Sequence, residues 1–131
     1  MSPASPENFD QMIVRAAETT AASVKAARAA IGNVIFGQEK VVDQALITIL
    51  AGGHALLLGV PGLAKTKLAD TMGTVLGLQA RRVQFTPDLM PSDIVGAEVL
   101  EESASGKRSF RFIQGPVFTQ LLLAEEINRA S

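Results

Sequence analysis

The sequence predicts an α/β fold built around a parallel β-sheet. Residues 54–58, 81–85 and 119–124 are short apolar segments with the length and composition of buried strands. A glycine-rich loop, residues 59–66, joins the first of these segments to a stretch with helical spacing. The order strand, loop, helix, strand is typical of sheets whose strands run parallel.

Composition limits the classes of protein to which the chain can belong. Its 131 residues suit one domain or part of a larger protein, and 47% apolar residues with 19% charged residues argue against global disorder. A net charge of −1 gives no indication of nucleic-acid binding, and the absence of cysteine excludes disulfides. The sequence shows neither a signal peptide nor an apolar run long enough for a membrane span. We therefore expect a cytoplasmic protein.

Three helices and a hairpin complete the predicted elements. Apolar residues from Phe9 to Ile31 recur at helical spacing, so residues 6–31 are predicted to form a helix with a packing stripe. Residues 38–50, with Leu50 on the buried side, and residues 65–76 are the second and third helices. Residues 86–91 are expected to form a loop.

Two short alternating segments, separated by the sequence SASGK, predict a β-hairpin inserted at residues 97–113. The predicted organisation is an N-terminal helix, residues 1–33, followed by an α/β core, residues 34–131.

The sequence GVPGLAKT, residues 59–66, has the features of a phosphate-binding loop. Backbone N–H groups and a helix N-terminus would face the anion, Lys65 would reach the phosphates, and the Thr66 hydroxyl could bind Mg²⁺. Ala64 stands where the pattern G-x-x-x-x-G-K-[ST] has glycine, but this position begins a helix, where alanine fits. The alternative is a Gly/Pro turn followed by a surface lysine, which the position between strand and helix disfavours.

Two acids, Glu125 and Glu126, end the last apolar segment. They are expected at the carboxyl edge of the sheet, where the glycine loop also leaves its strand and where ligands of open α/β sheets bind. One carboxylate could hold Mg²⁺ while the other orients a water molecule. The alternative is that both glutamates solvate a strand end. We predict that Lys65 and Glu126 converge on one triphosphate.

Together, GVPGLAKT, QFTPDLMPSDIVG and LLLAEEINRA resemble the MoxR family of AAA+ ATPases, over residues 30–131. The resemblance implies a P-loop NTPase core with a doubly wound parallel sheet, and ATP with Mg²⁺ as ligands. It further implies assembly into a ring, commonly a hexamer, and chaperone-like maturation or remodelling of a client protein. The hairpin matches an insertion in this branch of AAA+ proteins.

The resemblance also assigns roles to residues. Glu126 matches the base that activates water, Lys65 contacts the phosphates, and Glu125, in place of the usual Asp, joins Thr66 as a metal ligand. Residues 35–38 match the segment beside adenine, although an interhelical turn with buried apolar residues is a compatible interpretation. The implied nucleotide-binding positions are Ile35, Phe36, Gly37, Gln38, Gly59, Val60, Pro61, Gly62, Leu63, Ala64, Lys65, Thr66 and Lys67.

The core typical of the family is longer than this chain, with a further strand, an arginine finger and a helical lid after the acidic pair. We therefore expect an incomplete sheet and weak stability for these 131 residues in isolation. Two other functions remain open: a nucleotide-binding assembly module that does not hydrolyse ATP, and another P-loop enzyme such as a small kinase. Arg129 could face the nucleotide of a neighbouring subunit but is interpreted as a surface arginine, and Asp88 and Asp93 are interpreted as turn caps.

Overall fold

The computed structural model describes residues 6–59 and 63–130, and the side chains of residues 8–59 and 65–130. The chain divides into two compact units, Met1–Leu76 and Gly77–Ser131. The domain boundary expected between residues 33 and 34 stays a prediction. The elements, in chain order, are α1 (Pro6–Gly32), α2 (Glu39–Leu50), α3 (Leu63–Leu76), β1 (Ala80–Gln84), α4 (Pro91–Val95), β2 (Gly96–Glu102), β3 (Arg108–Gln114), β4 (Leu121–Glu125) and a 3-10 turn (Ile127–Arg129).

The first unit is a three-helix packing in which α1 contacts both α2 and α3. Its apolar core takes residues from the end of α1, from the turn that follows, and from one face each of α2 and α3. Within each of these two helices the buried residues are four positions apart, which places them on one face. The three predicted helices are confirmed. The core residues are Ile31, Ile35, Val42, Leu46, Leu68 and Met72.

The predicted packing stripe of α1 holds only for its second half. Phe9, Met12 and Ile13 are 62%, 63% and 52% exposed, so the prediction that they are buried is wrong. The first half of α1 is exposed because α1 is much longer than the helix α2 that packs against it. At 1.5 Å per residue, α1, with 27 residues, is about 40 Å long, whereas α2, with 12, is about 18 Å long. Among the described residues, no helix is both long and apolar enough to cross a membrane.

The strand predicted at residues 54–58 is absent, which corrects the sequence interpretation. This segment has no regular secondary structure, and Leu56 and Leu58 are 72% and 85% exposed. Leu50, expected on the buried side of α2, is also exposed. An apolar run indicates that a segment can be buried, but a strand also needs a neighbour that supplies hydrogen bonds. In the described part of the chain, β1 and β4 pair only with each other.

The second unit contains the parallel pair that the sequence predicts. β1 and β4 lie side by side, with Ala80 opposite Leu121 and Gln84 opposite Glu125. Val83, the fourth of the five residues of β1, is buried. At the start of the pair, the Leu121 N–H donates to the Gln79 carbonyl at 3.0 Å. The α/β class is therefore confirmed, with each strand within two residues of its predicted position.

The predicted hairpin is also confirmed. β2 and β3 are antiparallel, with Leu100 opposite Phe110. A short helix, α4, was not predicted; it begins at Pro91, within the expected loop. The Asp93 carboxylate accepts from the Met90 N–H at 2.9 Å, so Asp93 caps this helix as interpreted. Asp88 accepts from the Thr86 hydroxyl, and this hydrogen bond lowers the pKa of the Asp88 carboxyl.

Two glycines close the root of the hairpin. The Gly115 N–H donates to the Val95 carbonyl at 3.0 Å. A Cβ atom on either Gly96 or Gly115 would lie 2.6 Å from the backbone nitrogen of the other, a distance that side chains do not adopt. Gly96 also has a φ of +100°, which L-residues avoid. Both positions therefore require glycine.

One ion pair joins α1 to α2 within the first unit. Both the Nε and the Nη2 of Arg28 donate to the Asp43 carboxylate, the second at 2.9 Å. The hydrogen bond from Arg28 holds the pKa of the Asp43 carboxyl below its ordinary value, and the positive charge acts in the same direction. This pair orients the two helices in a geometry that Arg favours with carboxylates.

We expect the Arg28–Asp43 pair to make stability depend on pH. Because the folded pKa of Asp43 is lowered, its contribution is present above the ordinary Asp value, near pH 4, and is lost as the pH falls through the folded pKa. The difference in free energy of unfolding between wild type and Asp43→Asn should therefore shrink as the pH falls from about 6 to about 3. Denaturant unfolding at several pH values measures it. Asp10→Asn, on the exposed half of α1, is the control, and equal pH dependence in both variants would contradict the expectation.

We expect Gly96→Ala and Gly115→Ala each to lower the free energy of unfolding by about 2 kcal/mol or more, because the added methyl group meets backbone atoms. Gly106→Ala in the hairpin turn is the matched control. Gly106 also has positive φ, +79°, but nothing lies within 4 Å of an added Cβ. Its loss should be about 1 kcal/mol. Chemical denaturation of the three variants ranks them, and a loss at Gly96 no larger than at Gly106 would refute the steric explanation.

Candidate functional site

In the described part of the glycine loop, Lys65 contacts Gly59, the first residue of the loop. α3 begins at Leu63, so Lys65 and Thr66 lie in its first turn. The Lys65 ammonium donates to the Gly59 carbonyl at 2.9 Å, which closes the loop from its end to its beginning. Lys65 and Thr66 are half-buried and Lys67 is exposed. Val60, Pro61 and Gly62, and the side chains of Leu63 and Ala64, lie outside the described residues.

A groove of about 420 Å³ runs beside this lysine, between α2, residues 55–59 and α3. Gln38, Gly59 and Lys65 all line it, so three of the sequence-predicted positions share one cavity of the first unit. Its volume is in the range of small-molecule sites, about 300 to 1,000 Å³. Its wall combines apolar and polar side chains. The α2 residues that line it are Val41, Gln44, Ala45 and Thr48.

The segment predicted to lie beside adenine divides into two environments. The Ile35 side chain belongs to the apolar core, whereas Phe36 is 79% exposed. Gly37 has a φ of +73°, and the chain turns at this residue, between Phe36 and the start of α2. Ile35 thus serves the interhelical packing that the sequence left as a compatible interpretation. Phe36 and Gln38 are the members of the segment whose side chains remain exposed.

The acidic pair lies at the end of β4, in the second unit. Glu125 is the last residue of the strand, and its carbonyl accepts from the Phe85 N–H at 2.9 Å. Its side chain is 22% exposed, and its Oε2 lies 3.2 Å from the Nε of Arg82. Arg82 lies two residues before Gln84 on β1, so it reaches Glu125 diagonally across the parallel pair.

Glu126 has an unusual backbone. It adopts the left-handed conformation, with φ 54° and ψ 42°, and is the one non-glycine residue with positive φ in residues 6–59 and 63–130. L-residues pay about 1–2 kcal/mol for this conformation. Its carboxylate Oε2 lies 2.8 Å from the Nε of Arg129, three residues later. Strained backbone at a candidate catalytic residue is a recognised feature of functional sites.

The oxygen donors offered to a metal suit Mg²⁺. The Thr66 hydroxyl and the Glu125 carboxylate are hard oxygen ligands, and magnesium is usually held by one or two carboxylates together with phosphates and water. Among the described residues, no three acidic, histidine or cysteine side chains form a metal-binding group. The donor set therefore fits a metal bound together with a phosphate ligand rather than in a protein cage. Thr66 belongs to the first unit and Glu125 to the second, so their convergence stays a prediction.

Sequence reasoning missed two arginines beside the acids. Arg82 is revealed only by the strand register of the structure, which places it diagonally opposite Glu125. Arg129 was treated as a surface residue. It is indeed 62% exposed, but it is paired with Glu126. The spacing of three residues between Glu126 and Arg129 is the signal that was available.

Comparison with known proteins identifies the family. A family model described as ATPase family associated with various cellular activities (AAA) matches residues 54–131, more than half of the chain. This chain belongs to the AAA family of ATPases. That assignment agrees with the parallel strands, the glycine loop before α3 and the acids that end β4.

Relatives of the AAA chain include proteins named MoxR. It is 45% identical over 98 residues to "Chaperone MoxR1" of Mycobacterium tuberculosis, covering 75% of this chain and 25% of that protein. It is 36% identical over 109 residues to "Protein MoxR" of Paracoccus denitrificans, covering 79% and 31%. These similarities place the chain among the MoxR-type AAA ATPases, as the sequence motifs indicate.

A crystal structure of a candidate ATPase from Cytophaga hutchinsonii has the same fold. The TM-score is 0.72 at 38% identity, covering 92% of this chain and 37% of that one. The AAA fold is thereby established for this chain. The chain spans about a quarter to a third of the length of the two MoxR relatives.

The strain at Glu126 predicts an unusual effect on stability. We expect Glu126→Asn to leave the free energy of unfolding unchanged or to raise it by up to about 1 kcal/mol, because asparagine tolerates the left-handed conformation. Glu101→Asn is the matched control. It also removes an ion pair, to Arg111 at 2.7 Å, but from a strand residue. Denaturant unfolding compares them, and an equal loss in both variants would show that no strain is stored at Glu126.

Proposed function

We propose that this AAA chain binds ATP with Mg²⁺ and hydrolyses it. The observation that carries the proposal is the family match, which covers the glycine loop and the acidic pair together. Support also comes from the groove that Gln38, Gly59 and Lys65 line beside the start of α3. In this proposal the Lys65 ammonium and the N–H groups of the loop bind the phosphates, and residues 35–38 lie beside the adenine.

The reaction needs a water molecule in line with the terminal phosphate. Glu126 accepts a hydrogen bond from that water and orients it, and the water oxygen forms a bond to the γ-phosphorus. The bond from phosphorus to the β,γ-bridging oxygen breaks, and its electron pair stays on ADP. The proton of the water leaves with inorganic phosphate or passes to solvent. Lys65 offsets the negative charge on the phosphate oxygens.

Thr66 and Glu125 would hold the metal ion. Mg²⁺, when bound, supplies charge neutralisation at the phosphates. The side chain of Glu125 is one methylene longer than that of the aspartate usual in the family, so its carboxylate would reach farther toward the metal ion.

We further propose that the ATPase acts as a ring, commonly a hexamer, in the cytoplasm. Its hydrolysis would drive maturation or remodelling of a client protein. The names of the MoxR relatives support a chaperone role, since one of them is called a chaperone. The hairpin of β2 and β3 carries charges of both signs and is suited to contact a client or a neighbouring subunit.

A second candidate is a nucleotide-binding assembly module that does not hydrolyse ATP. The ion pair between Arg82 and Glu125 favours it, because an arginine already bonded to the carboxylate competes with a metal for the same oxygens. This alternative predicts ATP binding without phosphate release.

Two measurements on the full-length protein separate these functions: binding of a fluorescent ATP analogue and release of inorganic phosphate. We expect Lys65→Ala to lose most ATP binding. Glu126→Gln should keep binding within about twofold and lose hydrolysis by at least about 100-fold. Lys25→Ala, on α1, is the control for the loss of a lysine.

Three outcomes would change this conclusion. Wild-type protein that binds ATP without releasing phosphate would support the assembly module. Hydrolysis that survives Glu126→Gln would refute the role of that residue. Unchanged ATP binding in Lys65→Ala would refute the phosphate site itself.

A further inference from the structure

Glu126 and Arg129 are joined twice across one tight turn. The Arg129 N–H donates to the Glu126 carbonyl at 2.8 Å, which closes the 3-10 turn Ile127–Arg129. The Arg129 Nε lies 2.8 Å from the Glu126 Oε2. The backbone bond brings the arginine back over the glutamate, and the ion pair then fixes the end of the glutamate side chain.

The left-handed backbone of Glu126 determines only part of the position of its carboxylate. A φ of 54° sets the direction in which the side chain leaves the chain. A glutamate side chain still has several rotatable bonds, so its carboxylate can sample many positions. A charged partner at a fixed distance removes much of that freedom. The two features together define where the carboxylate lies.

Charge balance at the end of β4 supports the same interpretation. Glu125 and Glu126 are adjacent, so their carboxylates add two negative charges to the end of one strand. Each has an arginine on it: Arg82 at Glu125 and Arg129 at Glu126. The two arginines come from different elements: Arg82 belongs to β1 and Arg129 to the 3-10 turn. Each acid can therefore be held in its own direction.

The ion pair of Glu126 is poorly suited to a purely structural role. Its side chains are 37% exposed at Glu126 and 62% exposed at Arg129, and exposed pairs of this kind add little to folding stability. The contact joins the Nε of Arg129 to the Oε2 of Glu126. The second carboxylate oxygen, Oε1, can then accept a hydrogen bond from water while the arginine keeps hold of the first.

We propose that Arg129 is a positioning residue that holds Glu126 in the orientation needed to direct the attacking water. The proposal rests on the function proposed above for Glu126. Arg129 itself touches neither nucleotide nor water in this role. Its effect is on the rate of the chemical step, because a misplaced carboxylate costs turnover and leaves nucleotide affinity unchanged.

The test is Arg129→Gln in the full-length protein, with ATP turnover and binding of a fluorescent ATP analogue measured together. We expect kcat to fall by about tenfold or more while the dissociation constant changes by less than about twofold. Arg129→Lys keeps the positive charge and should recover part of the lost turnover. Arg15→Gln is the control: it removes an exposed arginine on the first half of α1, outside the candidate site, and kcat should be unchanged.

A double variant distinguishes positioning from a structural effect. If Arg129 acts through Glu126, adding Arg129→Gln to Glu126→Gln should lower turnover no further, since the residue it positions is already disabled. Additive losses would overturn the proposal. Loss of ATP binding in Arg129→Gln would overturn it as well, because it would show a structural role.

Failure of the inference and failure of the proposed function give different results. If Glu126→Gln abolishes turnover and Arg129→Gln retains it within about twofold, only the role of Arg129 is refuted. If the wild-type protein releases no phosphate, or if Glu126→Gln remains active, the proposed function fails, and the positioning role fails with it.

Discussion

The parallel pairing of β1 with β4 determines where the acidic pair leaves the sheet. Its last backbone hydrogen bond, from the Phe85 N–H to the Glu125 carbonyl, ties the main chain at the first acid to the neighbouring strand. The same register brings Arg82 diagonally opposite Glu125. A slip of one residue would turn Glu125 to the other face of the sheet. The orientation of the first acid, and the start of the turn at Glu126, therefore depend on this short ladder.

The first unit positions its own candidate residue, Lys65, by a different device. Its apolar core lies where the end of α1 meets α2 and α3, and Leu68 in that core is three residues after Lys65. Burial of Leu68 and Met72 thus anchors the helix whose first turn carries the lysine. The hydrogen bond from Lys65 to the Gly59 carbonyl then joins this anchored turn to the start of the loop. Apolar packing and one charged hydrogen bond together set the position of the ammonium group.

Much of this architecture could be predicted from the sequence, because local patterns determine it. The helical spacing in α2 and the alternation in the hairpin were sufficient for these elements. The segment at residues 54–58 was mispredicted because its apolar composition does not reveal which neighbour would pair with it. The exposure of Phe9 was missed because periodicity identifies an apolar face but does not show which part of a long helix its shorter partners cover.

Among the candidate functional residues, too, some follow from the sequence and others do not. Lys65 and Glu126 follow from motifs, while the partners Arg82 and Arg129 depend on strand register and on a left-handed turn. The register has no compositional signature in a single sequence. The three-residue spacing of Glu126 and Arg129 can be seen there, but the left-handed turn that brings them together cannot. Motifs therefore identify the charged groups of the site, whereas the pairing of those groups depends on the three-dimensional structure.

The hairpin of β2 and β3 is sterically constrained at its base and exposed at its tip. At the base, backbone atoms approach so closely at Gly96 and Gly115 that a side chain has no room. At the tip, Ser103 and Lys107 are exposed, and a hydrogen bond from the Ser103 N–H to the Lys107 carbonyl closes the turn. Variation in length and residue type can therefore accumulate at the tip while the base keeps its attachment. A peptide epitope or fluorophore grafted between these two residues would extend into solvent and leave the anchoring of the hairpin intact.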